Sequence, residues 1–407
     1  MKDFLTNIEE RGFVSACSNT IALRQALQSG MVTAYVGYDA TAESLHVGHL
    51  VNIMLLRWFQ RSGNRPITLM GGGTTKVGDP SFRNKARPIL DDDKIQMNIS
   101  AMQTVFGRYL DYGAAPNTAV MVNNADWLSH LNYLDFLRDI GRHFSVNRML
   151  SFDSVKGRLD ESQSLSFLEF NYMVLQAYDF LELFLQKGCM LQMGGSDQWG
   201  NIINGIELIR RKMGVEALAL TTPLLAKADG SKMGKSAEGS VWLNASMTSP
   251  FTFWQFWRNV DDQDVLRFLK LFTERPVAEC VELAKHEGSA LNHAKIILAN
   301  DVTALCHGSE AALAAENLAR SPIGSEATES LPFFAIPDGA ELTILELLSR
   351  LRATSSGKDS RRLIKAGGVR LDGRAIDTAE QRIPSSDKTR VLSVGRSARF
   401  LIRTSRS

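Results

Sequence analysis

The chain has 407 residues, 44% apolar and 22% charged, with no low-complexity tract, so it can bury one large core or two to three domains. Its four cysteines, Cys17, Cys189, Cys280 and Cys306, stand apart with no C-x-x-C pair or Cys/His cluster, which speaks against a disulfide framework or a zinc module. A net charge of +2 hides an uneven spread: residues 341–407 carry fifteen basic and seven acidic side chains, a local +8, leaving −6 over the first 340.

The N-terminus, MKDFLTNIEERGF, alternates acids and bases without an apolar stretch, so neither a secretory leader nor a membrane span is expected and a reducing cytoplasm is the expected location. Residues 3–30 read as two amphipathic helices stopped by Gly12 and Gly30. Thr33 to Tyr38 (TAYVGY) is a β-branched and aromatic run. From His49 to Gln60 the apolar residues Leu50, Ile53, Met54 and Trp58 fall at helical spacing, so a strand hands over to a helix near His46. Such a junction binds anions, because the free N–H groups and the positive end of the helix dipole point out of the first turn. His46 and His49 lie on one face of that turn, and Gly48 between them lets a ligand approach the backbone.

Pro66 to Met70 is a second short apolar run, followed by GGGTTKVGDP, a loop at the carboxyl edge of a sheet and so at the ligand crevice of an open α/β fold. Gly71 to Gly73 lack the G-x-G-x-x-G spacing opening onto a helix, which rules out the dinucleotide fingerprint. Ala119 to Val122 and Met190 to Met193 read as two further strands with helical patterns between. The expected fold is therefore α/β, a Rossmann-like parallel sheet with right-handed crossovers.

The helix starting at Phe167 (FLEFNYMVLQAYDFLEL) places Phe167, Phe170, Val174, Ala177 and Leu181 on one face, expected to pack on the sheet. Tyr172, Gln176 and Asp179 recur at i, i+4 and i+7 on the other, where they either meet solvent or line a polar pocket. In GGSDQWGN, Gly194 to Asn201, the glycines admit a bulky ligand, Asp197 can accept from a ribose hydroxyl and Gln198 can donate to a carboxylate or carbonyl. In PLLAKADGSKMGKS, Pro223 to Ser236, Lys232 and Lys235 are compact cations suited to phosphate charge that moves during a reaction.

From Thr248 to about Arg320 the periodicity is helical, and the aromatic cluster Phe251 to Trp257 is expected to be core. Residues 321–340 (SPIG, LPFF, IPDGA) read as a linker. Beyond it, Leu342 to Leu351 reads as a short helix, and SGKDSRRLIKAGGVRLDGRAI as a basic helix, a Gly367-Gly368 turn and a strand.

Four of these stretches together resemble one family. His46-Val47-Gly48-His49 is similar to the HIGH signature of class I aminoacyl-tRNA synthetases, and Lys232 to Ser236 to their KMSKS loop, with Gly234 in place of the first serine. The string from Tyr35 through Asp39 and Thr41 to His49, together with Gly194 to Asn201, resembles the tyrosyl branch. The end of the chain resembles a small RNA-binding domain shared with a ribosomal small-subunit protein.

The resemblance implies activation of tyrosine by ATP, then transfer to tRNA(Tyr). It assigns Tyr35 and Asp179 to the phenolic hydroxyl, and Tyr172, Gln176 and Asp79 to the ammonium group, with Gly37, Asp39 and Gln198 completing the tyrosine site. His46, Gly48, His49, Gly195, Asp197, Lys232 and Lys235 are assigned to ATP. Thr41, His46, His49, Lys232, Lys235 and Ser236 are assigned to the reaction itself, as donors of charge and hydrogen bonds, since the attacking carboxylate needs no protein nucleophile. Arg361, Arg362, Lys365 and Arg370 would meet tRNA phosphates.

Magnesium is expected to arrive with ATP and not at a dedicated protein metal site. A homodimer is implied as well. The implied domains are a catalytic domain (1–222), the KMSKS-type loop and connection (223–247), a helical anticodon-recognition domain (248–320), the linker (321–340) and a small basic RNA-binding α+β domain (341–407). Two alternatives stand beside this one: the tryptophanyl branch, which shares the architecture and both signatures, and a catalytically idle RNA-binding relative.

Overall fold

The structure is a computed structural model that describes residues 3–81, 90–161, 164–226, 233, 235–236, 239–320, 333–351, 353–354, 356–385, 389–395 and 398–405. It divides into two compact units, Met1–Leu225 and Ala226–Ser407.

The first unit is built on a six-stranded sheet of β1 (Ala16–Cys17), β2 (Thr33–Tyr38), β3 (Arg65–Met70), β4 (Val120–Asn123), β5 (Leu191–Gly195) and β6 (Leu218–Thr222). Its order is β1-β6-β5-β2-β3-β4, all neighbours parallel except β1, which runs antiparallel to β6. The helices are α1 (Phe4–Arg11), α2 (Thr20–Ser29), α3 (Leu50–Arg61), α4 (Asp92–Tyr109), the short α5 (Ala125–Leu128), α6 (Tyr133–Asp139), α7 (Val146–Leu150) and α8 (Asp153–Asp160), then α9 (Phe167–Lys187) and α10 (Trp199–Met213). Alternation in β2 gives the sheet two dressed faces: Tyr35 packs on Phe180 of α9, with ring centroids 5.4 Å apart, while Tyr38 packs on Phe106 of α4 at 4.8 Å.

Four strands lie where the sequence puts them, within two residues at each end, and both N-terminal helices stop at the expected glycines. Gly12 does end α1 in the left-handed region, at φ 84°. Strands β1 and β6 were not anticipated. In α9 one placement needs correcting, since Phe167, expected on the packed face, is 68% exposed, while of the two alternatives for Tyr172 and Asp179 the burial of both favours the pocket. Beyond its first turns α9 is buried on more than one side, so its polar residues line an interior pocket and do not face water.

In the second unit, β7 (Lys235–Ser236) pairs with β8 (Gly239–Ser240), and α11 (Pro250–Arg258), α12 (Val265–Phe272), α13 (Val277–Ala284), α14 (Gly288–His307) and α15 (Ser309–Arg320) follow. The aromatic cluster is core, as expected: Trp257 is fully buried against Phe268 and Phe272, with centroids 5.8 and 4.9 Å away. The chain then forms β9 (Phe333–Pro337), β10 (Glu341–Thr343), α16 (Ile344–Arg350), α17 (Gly357–Lys365), β11 (Val369–Leu371), β12 (Arg374–Ala375), β13 (Arg382–Pro384), β14 (Arg390–Val394) and β15 (Ala398–Ser405). Five of these strands form a sheet in the order β12-β11-β14-β15-β9, and β10 pairs with β13. Phe333–Pro337, inside the stretch read as linker, is thus an edge strand parallel to β15. Leu342, read as helical, is in β10, and the basic helix, the glycine turn and the strand after it are α17, Gly367 at φ 67° and β11.

Candidate active site

The carboxyl ends of β2, β3, β4 and β5 surround a polar crevice in the first unit. At its floor Tyr35 of β2 is fully buried, and its hydroxyl has no hydrogen-bond partner among the described residues. Gln192 of β5 is its register partner and is also buried, with Oε1 unpartnered. Leaving such an atom unanswered costs about 1–3 kcal/mol, so two of them on neighbouring strands mark a place for a polar ligand.

Asp179 of α9 is 2% exposed and acts electrostatically on Tyr35. Its Oδ1 accepts from Trp127 Nε1 at 2.7 Å and its Oδ2 from Asn124 Nδ2 at 2.9 Å. Burial pushes its carboxyl up to about 7; the two donors oppose this, and the charges of Asp39 and Glu182 add to it. Burial, then Asp179, also pushes the Tyr35 phenol well above its ordinary value.

Above this floor Asp39 accepts from Thr74 Oγ1 at 2.9 Å and from the Tyr172 hydroxyl at 3.1 Å. Asn124 Nδ2 also donates to Thr74 Oγ1 at 3.0 Å, so one amide ties the Asp179 floor to the Asp39 wall. Gly71 is required here, since a Cβ would lie 2.4 Å from Asp39 Oδ1 and 2.6 Å from Thr74 Oγ1. A Cβ at Gly37 would meet nothing within 4 Å, and this backbone faces open space. A second chain of bonds joins Asn201 Nδ2 to Gln176 Oε1 (3.0 Å) and Gln198 Oε1 (3.2 Å), and Gln198 Nε2 to Asp79 Oδ2 (3.0 Å).

At the start of α3, His46 Nδ1 accepts from Gly48 N at 3.0 Å and His49 Nδ1 from His46 N at 3.1 Å, with ring centroids 4.0 Å apart. Because both Nδ1 atoms accept, each neutral ring carries its proton on Nε2 and is a donor there. Beyond β5, Asp197 sits so close to Gly195 that a Cβ on the glycine would be 2.4 Å from its carboxylate.

A family model described as tRNA synthetases class I (W and Y) matches residues 28–321. The chain belongs to that family. It is similar to the tyrosine–tRNA ligase of Paracoccus denitrificans (strain Pd 1222), 60% identical over 94% of this chain and 93% of that one. With the tyrosine–tRNA ligase of Cereibacter sphaeroides (strain KD131) it is 56% identical over 99% and 98%. Among solved structures it resembles the C-terminally truncated mitochondrial tyrosyl-tRNA synthetase of Aspergillus nidulans, with a TM-score of 0.69 and 30% identity, covering 77% of this chain and 92% of the other. Within the family this synthetase therefore groups with the bacterial tyrosine branch.

The residues expected around tyrosine fall in this crevice, on β2 and the loop after it, the loop after β3, α9, and the turn after β5. Thr41 is exposed in the loop before His46. Lys232 lies outside the described residues, and Lys235 and Ser236 form β7 in the second unit. Arg361, Arg362 and Lys365 are exposed on α17 and Arg370 on β11. Among the described residues no three His, Cys, Asp or Glu side chains cluster to hold a metal, and no helix is long and apolar enough to cross a membrane.

Sequence reasoning missed Thr74, Asn124, Trp127, Gln192 and Asn201. For Asn124 a signal was present: it lies two residues past the predicted strand Ala119 to Val122, at the same sheet edge as the glycine loop.

Proposed function

We propose that the chain activates L-tyrosine with ATP and passes the tyrosyl group to the 3'-terminal ribose of tRNA(Tyr). In the first step a tyrosine carboxylate oxygen attacks the α-phosphorus, the bond from that phosphorus to the bridging oxygen breaks, and pyrophosphate leaves. In the second, the ribose hydroxyl attacks the tyrosyl carbonyl and gives up its proton as AMP leaves. Neither step uses a protein nucleophile, so the site's work is alignment and charge stabilisation.

The observation that carries this function is the buried pair of Tyr35, with its unanswered hydroxyl, and Asp179. A phenol complements it, donating to Asp179 and accepting from Tyr35. The Tyr172 hydroxyl donates to Asp39, and we assign its oxygen to the ammonium group together with Gln176 and Asp79, bounded by Gly37, Asp39 and Gln198. We assign His46, Gly48, His49 and Thr41 to the ATP phosphates, Gly195 and Asp197 to the ribose, and Lys232, Lys235 and Ser236 to the departing pyrophosphate. Magnesium belongs to the nucleotide, held by phosphate and water.

On α17 and β11, Arg361, Arg362, Lys365 and Arg370 are assigned to tRNA phosphates. A homodimer is supported by exposed apolar side chains between residues 133 and 168, among them Leu134 at 73% and Phe167 at 68%. We place the protein in the cytoplasm and keep the five-part domain division, with the last domain extended back to take in β9 (Phe333–Pro337).

ATP–pyrophosphate exchange tested with tyrosine, phenylalanine and tryptophan decides the matter. Exchange is expected with tyrosine. Exchange with tryptophan in its place, or with no amino acid, would overturn the proposal.

A further inference from the structure

Two asparagines, Asn123 ending β4 and Asn124 after it, take hold of the glycine loop by its backbone. Asn124 Oδ1 accepts from Gly73 N at 2.7 Å, and Asn123 Oδ1 accepts from Gly72 N at 3.1 Å. The Asn123 oxygen has a second donor, Ala125 N at 3.0 Å, from the first residue of α5. One acceptor is thus shared between two elements that serve opposite ends of the crevice. The glycine loop leads into Thr74, which donates to Asp39, and α5 carries Trp127, which donates to Asp179.

The glycines make this joint possible. A Cβ at Gly72 would lie 2.2 Å from Asn123 Oδ1, and the three atoms nearest to it all belong to the Asn123 side chain. No residue with a Cβ can stand at position 72 while Asn123 keeps its place. Gly73 does the same for α5, since a Cβ there would lie 2.9 Å from Leu128 Cδ1. The run that lacks the dinucleotide spacing therefore serves to bring the loop backbone against Asn123 and α5.

We infer that Asn123 is a positioning residue for the amino acid: its shared oxygen sets the loop that orients Asp39 against the helix that orients Asp179, and so the span between the groups assigned to the ammonium and to the phenol. The inference rests on the proposed function and predicts a split. Without the shared acceptor tyrosine binding suffers, while the groups assigned to ATP, before α3 and after β5, keep their places.

The test is steady-state ATP–pyrophosphate exchange on the full chain, with melting temperature measured alongside, for Asn123→Ala, Asn123→Asp, Gly72→Ala and the double variant Gly72→Ala/Asn123→Ala. The two single alanine variants are each expected to raise KM for tyrosine about tenfold, the scale of one to two net hydrogen bonds, with KM for ATP within about twofold of the wild type. The double variant should be no worse than Asn123→Ala, because both substitutions remove the same contact. Asn123→Asp keeps an acceptor for both N–H groups and should hold KM for tyrosine within about twofold. A joint rise in KM for tyrosine and ATP, or a lowered melting temperature with both unchanged, would reduce Asn123 to a structural residue and overturn the inference. So would a double variant whose loss is the product of the single ones, or Asn123→Asp as impaired as Asn123→Ala. If Asn123→Ala does not fold, Gly72→Ala and Asn123→Asp decide alone. Failure of the wild type to exchange with tyrosine would instead overturn the proposed function.

Discussion

Asp179 has an ionisation that sets the pH behaviour of the crevice. Its carboxyl titrates at about 7 in the fold, against 3.8 ordinarily, with burial as the chief cause. A raised carboxyl pKa stabilises the fold most below pH about 4, where both folded and unfolded chains are protonated, and that contribution is lost as pH rises through 7. Its size is on the order of 2–4 kcal/mol. A phenol donating to the carboxylate favours the ionised form and reverses the sign for the tyrosine complex. The ligand-free protein should therefore lose melting temperature relative to Asp179→Asn between pH about 5 and 8. Tyrosine affinity, followed by calorimetry, should rise over that interval in the wild type and stay flat in the variant. Parallel profiles would show that Asp179 does not titrate there. The two donors that restrain this carboxyl, Asn124 and Trp127, carry no motif and lie more than fifty residues from it in the chain. Asn124 stands close after a predicted strand, but its pairing with Asp179, like that of Trp127, follows only once β4 is known to sit beside β3.

Helix α9 brings Tyr172, Gln176 and Asp179 into the crevice on successive turns, so the way it starts governs the whole of the proposed tyrosine site. Its N-terminus is a capping box: Ser166 Oγ accepts from Glu169 N, and the Glu169 carboxylate returns to Ser166 N at 3.1 Å. Arg158 NH1 donates to the same carboxylate at 2.8 Å, both side chains being buried. Burial alone would raise the Glu169 pKa, but the hydrogen bonds from Arg158 and Ser166 more than reverse it and hold it below its ordinary range. Arg158→Met would strand a buried carboxylate and should cost about 3–5 kcal/mol. The double variant Arg158→Met/Glu169→Met should recover much of that. Thermal unfolding of the two variants checks it, and a double variant no more stable than the single one would contradict the pairing.

The start of α9 was legible in the sequence, and so was its polar stripe, but periodicity alone left that stripe between solvent and a pocket, because the residues that cover Tyr172 and Asp179 come from other parts of the chain. Strands β2 to β5 were legible from their β-branched and apolar runs. By contrast β1 has only two residues, and β6, Leu-Ala-Leu-Thr-Thr, is rich in residues that suit a helix equally well.

For the whole molecule, sheet order does what no single motif could. Placing β2 between β5 and β3 brings GGSDQ, the glycine loop and the HIGH-type turn to one edge from positions up to 152 residues apart in the chain. The charge is divided along the chain as well, −6 over the first 340 residues and +8 over residues 341–407. The central claim is that Tyr35 and Asp179 read the phenolic hydroxyl of tyrosine. Its most direct test is kcat/KM for tyrosine and for phenylalanine in ATP–pyrophosphate exchange, compared between the wild type and Tyr35→Phe. The tyrosine-to-phenylalanine ratio is expected to fall about tenfold, the worth of one hydrogen bond, with the whole loss on the tyrosine side. An unchanged ratio, or an equal loss for both amino acids, would contradict the claim.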